Sequence, residues 1–234
     1  DIRDKAGKQF VDVGIAEEHA IAFISGIAKN GGKPIFATHS SFIQRTYDQL
    51  SQDLCINNNP ATILVNTASV YGMNDVTHLG LYDIAMMSNI PNLVYLAPTS
   101  KEEYFAMLDW SIEQDKYPVA IRIPCNGVIS DNRKVENDYT NLNKYKIEKQ
   151  GSKVAIVALG DFYQLGEQIV SEIKEKLGLV PTLINPRYIT GLDKNLLEEL
   201  KKEHEIVITL EDGIIDRWIR RKNCKFLWNN KYKS

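Results

Sequence analysis

The sequence predicts an α/β fold made of two doubly wound domains with mainly parallel sheets. Apolar runs of strand length alternate with helix-period segments along most of the 234 residues, which is typical of parallel α/β sheets. The run at 61–65 is almost continuously apolar, as expected for a strand covered on both faces. A polar, turn-forming stretch at 126–151 interrupts the alternation, so it predicts a linker between two domains.

The first predicted domain, residues 1–125, alternates short apolar runs with segments that repeat apolar residues at helical spacing. Its strands are placed, in chain order, at 9–13, 34–38, 62–66, 92–96 and 118–123. Its helices are placed between them, at 15–29, 42–57, 80–88 and 100–115. Ser100 and Glu103 have the spacing of a capping box, which marks the start of the last helix.

The second predicted domain follows the linker and covers residues 152–216. Its strands are placed at 153–158, 180–184 and 206–210, and its helices at 162–176 and 193–203. The pattern then stops, and residues 217–234 are basic and aromatic without helical or strand period. We therefore expect an incomplete domain followed by an atypical tail.

The composition argues against several classes of function. With 44% hydrophobic and 25% charged residues the chain can build an ordinary core, and its net charge of −2 gives no electrostatic reason to bind nucleic acid or an anionic membrane. No apolar run approaches the roughly 18 residues of a transmembrane helix. The three cysteines lack metal-site spacing, so we expect neither disulfides nor zinc, and a cytoplasmic location. Because the charged N-terminus lacks Met and a signal sequence, we expect it to lie inside a longer protein or to follow processing.

The most informative motif is Val13–Ala20, directly after the first predicted strand. The strand is expected to turn at Gly14 into an amphipathic helix whose first turn carries Glu17. A carboxylate at the end of a buried strand suits proton transfer. The alternative is a glutamate favoured there by the helix dipole alone.

This motif resembles the pyrimidine-domain motif of thiamine-diphosphate enzymes, and it is most similar to the family of 1-deoxy-D-xylulose-5-phosphate synthase and transketolase. The resemblance implies that Glu17 is catalytic and hydrogen-bonds the aminopyrimidine ring of thiamine diphosphate, and that Ile15 belongs to the cofactor pocket. It extends to about residue 216 and covers the pyrimidine-binding and C-terminal domains of the family only.

A second motif, Thr38–Gln49, follows a predicted strand at the carboxyl edge of the sheet, where ligands bind in open α/β folds. It is similar to Ser-Thr-Phe-Leu-Gln-Arg-Ala-Tyr-Asp-Gln of the synthase, which implies that Phe42 stacks on the pyrimidine. The alternative for Phe42 is an ordinary core anchor. His39 takes the place of a tyrosine near the substrate phosphate, so the resemblance puts it in the substrate site. We expect Arg45 and Asp48 to form a structural or interface ion pair.

A third motif, Val76–Gly80, is similar to the family's Pro-Thr-His-Gln-Gly, so the resemblance assigns His78 to catalysis and substrate binding. Histidine titrates near neutrality and suits proton transfer to a sugar hydroxyl or carbonyl. Arg122 matches the first Arg of the family's Arg-Tyr-Pro-Arg-Gly motif, a phosphate contact, and a guanidinium can clamp a phosphate with two hydrogen bonds. The alternative for Arg122 is a salt bridge that closes the domain.

The chain also departs from the family. Thr67 replaces the arginine of the synthase's Asp-Arg-Ala-Gly, and Cys125 replaces the second Arg of Arg-Tyr-Pro-Arg-Gly, which leaves the phosphorylated acceptor open. The Gly-Asp-Gly…Asn motif that holds the diphosphate through Mg²⁺ is absent, and Leu159–Phe162 is its nearest match. We therefore expect Mg²⁺ on a missing domain and no activity from this chain alone.

The resemblance implies part of a thiamine-diphosphate-dependent transferase. This enzyme would condense a pyruvate-derived two-carbon unit with an aldose phosphate, on a route to isoprenoid and thiamine precursors. Its expected partners are a diphosphate-binding domain or subunit, a second copy in a homodimer, and small-molecule substrates. One alternative is the C-terminal subunit of a split transketolase, which would use a ketose phosphate donor without releasing CO₂. Another is a non-catalytic interaction module that kept the fold.

The tail has its own hypothesis. In the synthase family a motif like Glu211–Asp216 is followed by Gly-Gly-Phe-Gly. With suitable synonymous codons, Arg217–Asn223 shifted by one base encodes Gly-Gly-Phe-Gly-Glu-Lys-Ile. We therefore hypothesise a frameshift in the gene or clone, which resequencing the DNA for residues 214–225 would test.

Overall fold

The computed structural model describes residues 2–72, residues 75–214 and Phe226. The predicted tail at 217–234 and the frameshift hypothesis lie outside the described residues, apart from Phe226. Within the described part of the chain, the predicted α/β fold with two mainly parallel sheets is confirmed. No helix in these ranges is long and apolar enough to cross a membrane.

The first sheet has four parallel strands with helices on both faces. The strands are β1 (Ile35–His39), β2 (Thr62–Ala68), β3 (Val94–Leu96) and β4 (Val119–Pro124), in the spatial order β1-β2-β4-β3. The helices of this domain are α1 (Ile2–Ala6), α2 (Glu17–Lys29), α3 (Tyr47–Gln49), α4 (Asp83–Met87) and α5 (Lys101–Glu113). Ile63 and Val65 of β2 pack in the same core cluster as α2, whereas Leu64 packs in the cluster of α5. Both faces of β2 are therefore covered, as its apolar run predicted.

The predicted strand at 9–13 is wrong. None of the described strands pairs with this segment. The Asp12 carboxylate accepts a hydrogen bond from the backbone N–H of Gly14 (3.0 Å), and Gly14 has a φ of +68°. This side-chain to backbone bond stabilises a turn where the prediction required an extended chain. The apolar side chains of Phe10 and Val11 consequently remain exposed.

The predicted helix at 42–57 is not one regular helix. It is divided into a 3-10 turn (Ile43–Thr46), α3 and a π-helical segment (Leu50–Cys55). The Thr46 hydroxyl donates to the carbonyl of Ile43 (2.7 Å), a local bond that competes with the regular helical pattern. The two leucines and the cysteine of the π segment are buried in the core, so packing favours its wider turn.

The second sheet also has four strands, one of them antiparallel to the others. The strands are β5 (Lys146–Lys149), β6 (Lys153–Ala158), β7 (Thr182–Asn185) and β8 (His204–Leu210), in the order β5-β7-β6-β8. The helices are α6 (Tyr163–Leu177) and α7 (Lys194–Glu203). β5 pairs antiparallel with β7 and lies inside the segment predicted as a linker. From β6 the chain crosses to β7 on one side and then returns to β8 on the other side.

The start of α5 is confirmed, and its cap also joins the two domains. The Ser100 hydroxyl accepts a hydrogen bond from the N–H of Glu103 (3.2 Å). The Glu103 carboxylate accepts from the N–H and the hydroxyl of Thr99, both at 2.8 Å, and from the side-chain amide of Asn185 on β7 (3.0 Å). Burial raises the pKa of Glu103. A capping residue of the first domain is thus held by the second sheet.

Candidate functional site

Three of the predicted site residues, His39, Phe42 and His78, meet at the carboxyl edge of the first sheet. Their ring centroids are 5.3 Å apart for His39 and Phe42, 5.2 Å for Phe42 and His78, and 6.2 Å for the two imidazoles. All three pairs are edge-on, a favourable geometry for aromatic rings. Phe42 is half-buried, whereas its neighbour Ile43 is the residue that enters the core. The cluster combines an aromatic surface with ring nitrogens, which suits a heterocycle or a sugar.

The backbone beneath this cluster is strained. Thr67, at the end of β2, has a φ of +56°, and Ser69 has a φ of +77°. A positive φ is unusual for any residue other than glycine, and for a β-branched residue it is an outlier. The Ser40 hydroxyl donates to the carbonyl of Thr67 (3.0 Å), and the Thr67 hydroxyl is hydrogen-bonded to Nδ1 of His39. These contacts hold a conformation that costs on the order of 1–3 kcal/mol and is typical of ligand sites.

His78 is positioned by a short capped turn. Asp75 caps this turn by accepting hydrogen bonds from the N–H (2.8 Å) and the hydroxyl (2.7 Å) of Thr77, and these bonds lower the pKa of Asp75. The Nδ1 atom of His78 is 2.8 Å from the Thr77 hydroxyl and 3.3 Å from the Asp75 carboxylate. Because these contacts engage Nδ1, they fix the orientation of the ring and leave Nε2 for other partners.

Glu17 lies in the first turn of α2 with an incompletely satisfied carboxylate. Its side chain is 12% exposed, and Nη1 of Arg45 approaches its Oε2 atom to 3.2 Å. Despite this ion pair, Oε2 is buried and has no hydrogen-bond partner among the described residues, because the guanidinium is not aligned to donate. Arg45 also pairs with Glu18 (3.2 Å). The predicted ion pair between Arg45 and Asp48 is therefore wrong for the described residues, because Arg45 pairs with these two glutamates instead.

Two other predicted site residues lie in contrasting surroundings. The side chain of Ile15 is 87% exposed. Arg122, by contrast, is buried, and its guanidinium donates from Nε to Asp83 (2.8 Å), from Nη1 to Asp212 (2.8 Å) and from Nη2 to the carbonyl of Gly80 (3.0 Å). These are contacts of the kind that the salt-bridge alternative describes. Phosphate binding by Arg122 and cofactor binding by Ile15 stay predictions.

The two carboxylates that accept hydrogen bonds from Arg122, those of Asp83 and Asp212, were not among the predicted site residues. Asp212 could have been found from its position two residues after the predicted strand at 206–210. The carboxyl ends of such strands are common ligand sites in α/β folds. Asp83 lies inside a predicted helix, so nothing distinguished it from a solvated acidic residue. Within residues 2–72 and 75–214, no group of three His, Cys, Asp or Glu side chains could hold a metal ion. The Mg²⁺ site stays a prediction for a separate domain.

Two models of known protein families match the chain. The family model described as "Transketolase, pyrimidine binding domain" matches residues 2–127, and "Transketolase, C-terminal domain" matches residues 143–217. The domain boundaries at 125, 151 and 216 stay predictions.

Curated relatives are named 1-deoxy-D-xylulose-5-phosphate synthase. The protein of Clostridium beijerinckii is 41% identical over 207 residues, which are 88% of this chain and 33% of the relative. That of Clostridium acetobutylicum is 34% identical over 231 residues, 98% of this chain and 37% of the relative. The chain thus spans about a third of the length of these relatives.

A solved structure shares the fold. It is described as a split gene transketolase, an inactive beta4 tetramer, and it superposes with a TM-score of 0.82 at 21% identity, covering 98% of this chain and 74% of that one. The chain therefore belongs to the transketolase family, whose pyrimidine-binding and C-terminal domains it contains.

Proposed function

We propose that this chain supplies the pyrimidine-binding half of the active site of a thiamine-diphosphate-dependent transferase of the 1-deoxy-D-xylulose-5-phosphate synthase type. The observation that carries the proposal is the position of Glu17, whose buried Oε2 atom is ion-paired with Arg45 (3.2 Å) but accepts no aligned hydrogen bond from the described residues. A carboxylate oxygen without an aligned donor keeps capacity to accept a hydrogen bond, so it suits a ligand that donates to it. A protonated ring nitrogen of an aminopyrimidine is such a donor.

The residues present fit the pyrimidine end of the cofactor. Glu17 would accept the hydrogen bond and hold the proton at the ring nitrogen, while Arg45, 3.2 Å from Oε2, helps to orient the carboxylate. Phe42 would cover the face of the ring and exclude water. Thiamine diphosphate, when bound, supplies an electron sink for a carbanion. The diphosphate and Mg²⁺ would be held by another domain or subunit, since the described residues provide no metal cluster.

The substrate would lie against the two histidines. His39 and His78 offer ring nitrogens to the carbonyl and hydroxyl groups of a two-carbon donor and an aldose phosphate acceptor. The names of the curated relatives support pyruvate chemistry of the synthase type. We also propose that the protein is a homodimer and that it works in the cytoplasm. The free thiols of Cys55 and Cys125 support the second proposal, because thiols stay reduced in that compartment.

A second candidate is a split transketolase, of which this chain would be the C-terminal subunit. It is favoured by the split gene transketolase, since that structure covers 98% of the chain with the same fold. The two candidates differ in the donor. A synthase releases CO₂ from pyruvate, whereas a transketolase transfers two carbons from a ketose phosphate.

The test combines this chain with the remaining domain of the Clostridium beijerinckii synthase. We expect turnover of pyruvate and glyceraldehyde 3-phosphate with release of CO₂. Glu17→Gln should lower kcat by about 10²–10⁴-fold, the range of general acid–base catalysis, with unchanged circular dichroism. Glu18→Gln is the matched control, because Glu18 pairs with the same Arg45 and is not placed in the catalytic machinery.

Three outcomes would contradict the proposal or redirect it. Full activity of Glu17→Gln would remove the assigned role of Glu17. Transfer from a ketose phosphate without CO₂ would select the split transketolase. Binding to the complementing domain without turnover of either donor would support the non-catalytic interaction module.

A further inference from the structure

A cleft of about 240 Å³ lies between the two domains. None of the six predicted site residues lines it. Its polar lining comes from both domains: Tyr71, Thr99, Asn126, Asp161, Gln164 and Gln168. Apolar side chains, among them Val128 and Leu165, complete the walls. The volume is below the roughly 300–1,000 Å³ of drug-sized pockets, so the cleft suits a small molecule.

One wall of the cleft lies next to the carboxyl end of β6, because Asp161 follows this strand and lines the cleft. The chain leaves β6 to form β7 on one side and returns to form β8 on the other, so the carboxyl ends of β6 and β8 flank a topological switch point. In open α/β sheets the crevice at such a point is the usual ligand site. Asp161 follows β6 and Asp212 follows β8.

The two aspartates at the switch point are used differently. Asp212 is occupied by the first domain, since it accepts from the N–H of Val70 (2.8 Å) and from Nη1 of Arg122 (2.8 Å). Asp161 accepts from the Ser69 hydroxyl through Oδ2, and its Oδ1 atom is 4.0 Å from Arg122, beyond hydrogen-bond distance. Among the described lining residues, Asp161 is also the one charged side chain.

The charges around Asp161 do not balance. One guanidinium, that of Arg122, faces the three carboxylates of Asp83, Asp161 and Asp212. Its short hydrogen bonds go to Asp83 and Asp212, so Asp161 has the weakest share of the positive charge. Burial, followed by the charge of Asp212, raises the pKa of Asp161 to about 6. At neutral pH the cleft therefore presents a carboxylate with a deficit of positive charge.

We propose that this cleft binds a small organic cation, a primary alkylammonium, with the ammonium on Asp161 and the alkyl chain against Val128 and Leu165. The side-chain amides of Gln164 and Gln168 provide acceptors for the remaining N–H groups of the ammonium. Binding at this cleft requires neither thiamine diphosphate nor a metal-binding domain.

The test is calorimetric titration of the chain at pH 7.5 with butylamine, 1-butanol and butyrate, which share an alkyl chain and differ in charge. We expect saturable binding of butylamine, and affinities at least tenfold lower for the alcohol and the anion. Asp161→Asn should weaken butylamine at least tenfold. Asp109→Asn, on the exposed face of α5, is the matched control and should leave binding unchanged.

Because Asp161→Asn also alters an interdomain contact, a second variant keeps the test decisive. Val128→Trp fills the cleft without changing Asp161 and should cause the same loss. Butylamine should also bind about tenfold more weakly at pH 5 than at pH 7.5, as Asp161, which faces Asp212, Arg122 and Ser69, becomes protonated. Equal affinity for butylamine and 1-butanol, no saturable heat, or binding that survives both cleft variants would overturn the proposal.

Discussion

Arg45 and Arg122 carry the same guanidinium group in very different surroundings. The side chain of Arg45 is 47% exposed, and its ion pairs with two glutamates lie near the surface. The side chain of Arg122 is 3% exposed and pairs with Asp83 and Asp212, which are buried as well. Water screens the pair of Arg45 with Glu18, which is 37% exposed, whereas removing Arg122 leaves uncompensated charge in the interior.

We predict that Arg122→Met lowers the free energy of unfolding by about 3–5 kcal/mol, because Asp83 and Asp212 lose their buried counter-charge. Arg3→Met is the exposed control, because Arg3 and its partner Asp12 are 61% and 63% exposed, and it should cost about 1 kcal/mol or less. Urea unfolding followed by circular dichroism measures both changes. If both variants lost equally little unfolding free energy, the structural role of Arg122 would be contradicted and its binding of phosphate would be favoured.

At the scale of elements, the start of α5 depends on its N-cap. We predict that Ser100→Ala lowers the free energy of unfolding by about 0.5–2 kcal/mol, because the N–H of Glu103 loses its acceptor. The matched control is Ser171→Ala in the middle of α6, where the hydroxyl donates to the carbonyl of Glu167 (3.0 Å) within the helix. That change should stay within about 0.5 kcal/mol. Thermal unfolding of the two variants would refute the prediction if both matched the unchanged protein.

The elements that the sequence predicted correctly are those in which local pattern and tertiary packing agree. The apolar run at 61–65 and the cap at Ser100 are examples. The strand and the helix predicted at these positions are confirmed, with bounds within a few residues of the predicted ones. The segment at 9–13 failed because the Asp12 side chain bonds to the backbone, which an apolar pattern does not reveal. β5 was missed because Lys-Ile-Glu-Lys has one apolar residue, and it is an edge strand defined by its partner β7.

The sequence predicted which residues form the candidate site, but not the side-chain contacts that hold them in place. His39, Phe42 and His78 could be grouped because parallel strands bring their carboxyl ends to one edge. The contact of Arg45 with Glu17 joins two distant motifs, and the hydrogen bond between His39 and Thr67 depends on a strained backbone. Neither contact can be predicted from the spacing of residues in the sequence.

At the scale of the whole molecule, the domain junction makes stability depend on pH. The folded-state pKa of Asp161, about 6, lies above the ordinary value of 3.8, so between these values the folded protein binds more protons than the unfolded chain. The free energy of unfolding therefore falls as pH rises from about 4 to about 6, by at most roughly 3 kcal/mol from this group.

This dependence can be isolated with Asp161→Asn, which stays neutral at every pH. Urea unfolding of both proteins between pH 4 and pH 7 should show the variant gaining stability relative to the unchanged protein as pH rises. Most of the gain should occur between about pH 4 and pH 6. Parallel pH profiles for the two proteins would disprove the role of Asp161.

The position of β5 has a consequence for genes rather than for chemistry. This strand covers one edge of the second sheet. The DNA that encodes a complete second domain therefore begins upstream of the codon for Lys146. A recombination event or a cloned fragment that starts at residue 152 would encode β7 with an unprotected edge, which invites pairing with other chains and aggregation. Crossovers between relatives should therefore be tolerated before the strand and selected against immediately after it.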